Sequence, residues 1–147
     1  MGNLLELAGI CETAGSGDRE LDATIWLAAI PGATRRKTGH THTASGKWCD
    51  IDETRDSTGR LITVPHYTSS IDAAMTLVPA GHSADTQQRQ RLLKSPEYIE
   101  RAWAQIETPD GTEFIGNAIA ASVPLAICAA ALRARALLVS GKDGTNG

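Results

Sequence analysis

The side chains of this chain best suited to chemistry are its histidines, one basic triplet and a histidine–tyrosine pair. Gly39-His40-Thr41-His42-Thr43 sets two imidazoles at i and i+2. On a strand both face one side and could supply half of a metal site. The other ligands would have to come from Cys49, Asp50, Asp52 or His66, and no spacing enforces that. A solvated polar loop is the simpler account, and no metal or other cofactor is assigned. His66-Tyr67-Thr68 is an H-x-T triplet, but an enzyme that grips one phosphate between two such triplets needs a second. Here His40 and His42 are followed at +2 by His42 and Ala44.

Phosphate binding without catalysis is the better use of these groups. A helix N-terminus with free N–H groups is a ready anion site. The segment His66-Tyr67-Thr68-Ser69-Ser70 leads into one and adds hydroxyls and a ring that could stack on a base. Arg35-Arg36-Lys37 is the densest basic run, and guanidinium matches phosphate geometry. Trp48 and Trp103 could stack a purine or plug the margin of a small core. The candidate ligand site is therefore Arg35, Arg36, Lys37, His40, His42, Trp48, His66, Tyr67, Ser69 and Ser70. The plain alternative is structural: Pro65 stiffens the loop, and Thr68 and Ser69 satisfy the helix start. The tail Ser140-Gly141-Lys142 lacks the glycine spacing of a P-loop. No Ser-His-Asp or Cys-His set can be argued, no carboxylates are paired for acid–base work, and no catalytic residue is assigned.

The elements that must position these groups follow from periodicity and punctuation. Helices are predicted over 3–13 and 18–29; in the second, Leu21, Ile25, Ala28 and Ala29 share a face and Asp18 and Glu20 complement the first turn. Residues 33–63 are rich in Thr, Gly, Asp and Arg, with short strands at 38–43, 47–51 and 60–64. Ser69 is predicted to cap a helix with Asp72 three residues on, approximating a capping box. Ile71, Ala74, Met75 and Val78 would form its buried stripe, and Pro79-Ala80-Gly81 would stop it. Residues 87–94 read as a surface turn of helix. A hairpin follows, with strands at 98–107 and 112–118 about the turn Thr108-Pro109-Asp110-Gly111. The last helix starts at Ser122, with Leu125, Cys128, Ala129, Leu132, Ala136 and Val139 on one face. Its alanines predict close packing on a sheet. Residues 1–139 make one domain and 140–147 a polar, mobile tail.

The chain has 147 residues, 41% hydrophobic and 4% aromatic, with a net charge of −3. That length allows one domain with a core built from Ala, Leu, Ile and Val. The absent basic surplus argues against bulk nucleic-acid binding. Cys11, Cys49 and Cys128 are odd in number and form no C-x-x-C pair, so they read as free thiols in a reducing compartment. Cys11 and Cys128 look like small core side chains. No signal peptide or myristoylation signal is expected, and the apolar run 123–132 is too short to span a bilayer.

Three segments carry a resemblance. They are Leu4-Leu5-Glu6-Leu7-Ala8 through Cys11-Glu12 to Gly17-Asp18-Arg19-Glu20-Leu21-Asp22; the run from Pro65 to Pro79; and Pro124-Leu125-Ala126-Ile127-Cys128-Ala129-Ala130-Ala131-Leu132-Arg133-Ala134. In this order they resemble the small bacteriophage proteins grouped as the phage ABA (α/β/α) sandwich domain. The resemblance implies an α+β, three-layer α/β/α sandwich with a mostly antiparallel sheet and helices on both faces. It also implies phage or prophage origin, no assigned activity, and residence in the cytoplasm of the infected host. Small phage proteins of this size include sponges that sequester the cyclic nucleotide signals of bacterial anti-phage defence, an analogy of setting and not of motif. The leading expectation is a non-enzymatic, self-associating protein that sequesters a small anionic nucleotide. A phage structural or protein-interaction module is the second, and a small metal-dependent hydrolase using His40, His42 and His66 the third.

Overall fold

The computed structural model describes the backbone of residues 2–42, 46, 48–92 and 98–144, with side chains over 4–36, 46, 53–87 and 102–139. Among the described residues the chain is α+β, with four helices and two antiparallel sheets. The order is α1 (Gly2–Thr13), α2 (Arg19–Ala29), β1 (Thr34–His42), β2 (Trp48–Arg55), α3 (Ile71–Met75), β3 (Ser83–Leu92), β4 (Tyr98–Glu107), β5 (Phe114–Ala120) and α4 (Val123–Gly144). β1 and β2 form a two-stranded ribbon; β3, β4 and β5 form a meander in that order.

α4 organises the rest. Every side chain from Leu125 to Leu132 is essentially inaccessible. A helix that is apolar all round must be surrounded, not laid on a surface. Here β4 and β5 flank it, with α1 and α3 also packed against it. The approach is close because the facing residues are small. A Cβ on Gly116 would lie 2.2 Å from the Ala130 carbonyl oxygen, so only glycine lets α4 sit this near β5. Ala102, Ala104, Ile106, Gly116, Ala118 and Ala120 form the buried face of the sheet. On the opposite face Asn117 and Ile119 are exposed, and Trp103 and Gln105 are half-buried. Of the described helices, α4 and α1 pack on the meander, and helices on a second face are not among the described contacts.

The outer margin of β5 is occupied. The Ile119 amide donates to the Glu12 carboxylate at 3.2 Å, and Arg133 Nη1 donates to the Asn117 carbonyl at 2.8 Å. Arg133 and Glu12 pair with each other, tying α1 to α4 across that margin. An exposed strand margin templates unwanted pairing, and side chains bonded to its free groups blunt it.

Several expected boundaries move. Of the stretch expected as a turn of helix, residues 93–94 lie outside the described residues and 87–92 are strand: β3 runs Ser83–Leu92, paired residue for residue with β4. Its polar sequence lacks alternation because it lies at the sheet's edge, away from β5. No strand spans 60–64; that stretch makes one bridge, Arg55 to Leu61, and a bond from the Ile62 amide to the Thr54 carbonyl at 2.9 Å. β1 and β2 are longer than expected, and their register sets Arg36 opposite Glu53 and Lys37 opposite Asp52. Opposite charges across a ladder favour that pairing. α4 continues through Gly144, past the expected start of the tail at 140, because an established helix gains a bond per added residue.

α3 differs most. It is one short helix, Ile71–Met75, capped by Ser70 rather than Ser69: the Ser70 hydroxyl accepts from the Ala73 amide. Ala74 is its buried residue, Leu77 just past its end is also buried, and Ile71 and Met75 are exposed. The helix gives way to a turn after Met75, so the expected stripe over Ile71, Met75 and Val78 has no continuous face to occupy.

Candidate functional site

The polar centre of the molecule lies at the first turn of α2. Asp18 is the N-cap, extended at φ −146°, and its carboxylate accepts from the Glu20 amide at 2.9 Å. Asp22, one turn in, is 1% exposed. It is fully employed. Its Oδ1 accepts from the Thr68 amide at 2.8 Å and from the Thr68 hydroxyl at 2.7 Å, and its Oδ2 from Arg19 Nη1 at 2.9 Å. Thr68 Oγ1 in turn accepts from the Asp18 amide at 2.8 Å. Arg19 also donates to the carbonyls of Val64, at 2.9 Å, and Pro65, at 3.3 Å. A buried carboxylate survives when it is paired and fully hydrogen-bonded, and this network meets that condition.

Gly17 completes the junction. A Cβ there would lie 2.9 Å from Ser69 Cβ and 3.0 Å from the Thr68 oxygen. Two of the sequence segments singled out above, residues 17–22 and 65–69, are therefore the two halves of one joint. Their residue types answer its needs: an acid, a hydroxyl, a guanidinium and a glycine.

The candidate ligand residues distribute unevenly around this joint. Arg35 grips Glu20 through both nitrogens, Nη1 to Oε1 at 2.7 Å and Nη2 to Oε2 at 2.8 Å. Arg36 is exposed. His66 is exposed at the surface of the loop, and its carbonyl accepts from the amides of Ser69, at 3.2 Å, and Ser70, at 2.9 Å. Ser69 is exposed, and Ser70 is occupied as the α3 cap. Tyr67 is 2% exposed, so its ring is core and not a platform for a base. Burial pushes its hydroxyl up from the usual phenol value, opposed by the charge of Arg135. The Tyr67 carbonyl accepts from Cys128 Sγ at 3.1 Å, which ties the loop to α4. The side chains of Lys37, His40, His42 and Trp48 lie outside the described residues. Their backbone is placed: His40 stands opposite Asp50, and His42 opposite Trp48.

The structure thus brings Arg35 and the loop at His66 to the same end of α2, through Glu20 and Arg19 respectively. Sequence inspection singled out neither Arg19 nor Asp22 as functional, and it took Glu20 for a dipole partner. The signal available was the acid–base–acid order Asp18-Arg19-Glu20 ahead of Asp22, which suits a helix start equally well. Among the described residues, no three His, Cys, Asp or Glu side chains cluster to hold a metal ion. Comparison with protein-family models, curated proteins and solved structures returns no match.

Proposed function

We propose that this chain is a non-enzymatic phage accessory protein that binds and sequesters a small phosphorylated nucleotide. One observation supports this most: the fork of Arg35 is engaged bidentately by a replaceable carboxylate. The Arg35 side chain is 21% exposed and that of Glu20 is 68% exposed. The cation is built into the surface, while its partner stands in solvent. A phosphate presents the same paired oxygens as a carboxylate and can displace Glu20 from that fork. Arg36 and the exposed His66 ring would serve the remaining phosphate oxygens and the base. Asp22 and Thr68 satisfy each other, so they hold the loop and leave binding as the outcome. In this reading the host cytoplasm is the setting. A second copy over the open face of the meander would complete the three-layer sandwich, which makes self-association part of the proposal.

Thermal melts with cyclic dinucleotides, cyclic trinucleotides and cyclic ADP-ribose isomers test it. At least one should stabilise the protein and be released intact on heating. Glu20→Gln should tighten that binding about threefold or more, and Arg35→Met should weaken it about tenfold, the loss of a charge-assisted contact. No shift with any of them sinks the proposal, and release of a cleaved product would make the protein an enzyme.

A second reading has its own support. Leu5, Ile10, Leu27, Leu137 and Leu138 are exposed on the helices. Grouped apolar surface marks interaction sites, and a protein-binding module would use it. Light scattering on the purified chain, alone and after Leu137→Glu, separates a self-associating face from an inert one.

A further inference from the structure

At the other end of α2 lies a cleft of about 580 Å³, walled by side chains such as Leu4, Leu27, Ile30, Pro79 and Leu138. Sites for small organic ligands commonly span roughly 300–1,000 Å³ and are lined mainly by apolar groups with a few placed polar ones. Among the described residues, one charged side chain lines this cleft, Arg135. Its Nε donates to the Leu77 carbonyl at 2.6 Å, and its Nη1 lies 3.5 Å from the Ala29 carbonyl. Those two bonds tie the ends of α2 and α3 to α4. They leave Nη2 without a partner, and no carboxylate pairs with Arg135 among the described residues. Burial pushes this guanidinium down from its ordinary value, the mark of a charge held in a poorly solvated place.

A half-buried cation that no described carboxylate neutralises calls for an anion. The walls narrow the choice. A phosphate would bring more charge than one guanidinium balances, against side chains that solvate nothing. A carboxylate brings a single charge and two oxygens matched to the free edge of the fork. The space beyond it is mainly apolar. A groove of about 420 Å³ between α1 and α2, lined by Glu6, Leu7, Ile10, Thr24, Leu27 and Ala28, shares its last two residues with the cleft. We propose that this cleft binds a carboxylate carried on an apolar chain, a medium-chain carboxylic acid, with the head on Arg135 and the tail along Leu27 toward Ile10. The site is independent of the nucleotide reading, which concerns the opposite end of the same helix.

Sodium octanoate, titrated calorimetrically into the full chain, tests this, with octanol as the uncharged probe. Octanoate should bind saturably at one site, and octanol at least about tenfold more weakly. Arg135→Lys keeps the charge and loses the fork, and should weaken octanoate while sparing octanol. Because Arg135 also braces two helices, Leu138→Glu serves as the independent variant. Leu138 is already exposed, so the chain should fold, and the new carboxylate beside Arg135 should cut octanoate affinity at least about tenfold. Absence of saturable binding overturns the proposal. So does octanol matching octanoate, or Leu138→Glu binding octanoate as the unaltered chain does.

Discussion

The carboxylate of Asp22 shows how one side chain can account for two stretches of sequence. It accepts from the amide and hydroxyl of Thr68 in a buried setting, and from Arg19, which is half exposed. Removing the carboxylate leaves the buried Thr68 amide unpaired, while the Thr68 hydroxyl and Arg19 keep the carbonyls of Asp18 and of Val64 and Pro65. Asp22→Ala should therefore cost about 1–3 kcal/mol, the range for leaving a buried donor unsatisfied. Urea denaturation measures this; a loss under about 1 kcal/mol, the size of an ordinary hydrogen bond, would show that water replaces the carboxylate. Tyr67 teaches the reverse lesson. Beside His66 it reads as a stacking ring, yet its side chain is buried, its carbonyl is held by Cys128 of α4, and the exposed His66 stands next to it. Adjacent residues on a loop need not share an environment.

Among the elements, α4 and β5 depend on one position. Gly116 has no steric room for a Cβ, because the Ala130 carbonyl and the Ala134 amide stand 2.2 and 3.0 Å from where it would sit. These are backbone atoms and cannot rotate away. Gly116→Ala should force the helix off the sheet and destabilise the protein by about 1–3 kcal/mol, the usual cost of overpacking. Thermal melting reads the loss, and faster amide exchange along β5 should accompany it. An unchanged melting temperature would mean that α4 slides freely over the strand. The β1–β2 ribbon obeys a different rule. Two strands alone are marginal in water, so its anchoring at the Arg35–Glu20 pair gives that contact a structural role beside any role in binding.

On the scale of the whole molecule, the core is closed over two thiols. Cys11 and Cys128 are both inaccessible. Burial, helped by the charge of Glu12, pushes Cys11 up to about 12 from 9.0, and burial pushes Cys128 higher still. Below pH 9 both the folded and the unfolded chain keep these protons, and stability is unaffected. From 9 to about 12 only the unfolded chain releases them, so stability falls as pH rises, by at most about 1.4 kcal/mol per pH unit for each thiol. Denaturation at pH 8, 9, 10 and 11 should show that decline, and the double variant Cys11→Ala, Cys128→Ala should flatten it. An equal slope in the variant would assign the alkaline loss to other groups. No helix among the described residues is long and apolar enough to cross a membrane.

The α+β class, the hairpin at 98–118, the start of α2 at Asp18 and the buried character of Cys11 and Cys128 are all legible in the sequence. Each rests on local information: a turn dipeptide, a cap, a periodic apolar face. The alanine-rich stretch at 125–132 also announced tight packing, because small side chains have no other use in so long an apolar run. What the sequence could not express is which segments meet. Arg35 reads as a free basic group until Glu20 is seen on its fork, and Arg135 as a surface charge until the ends of α2 and α3 enclose it. The cap passes from Ser69 to Ser70 because Gly17 and Thr68 dock the loop one residue earlier. Partnership between residues tens of positions apart depends on the folded path of the chain, and only the tertiary structure decides it.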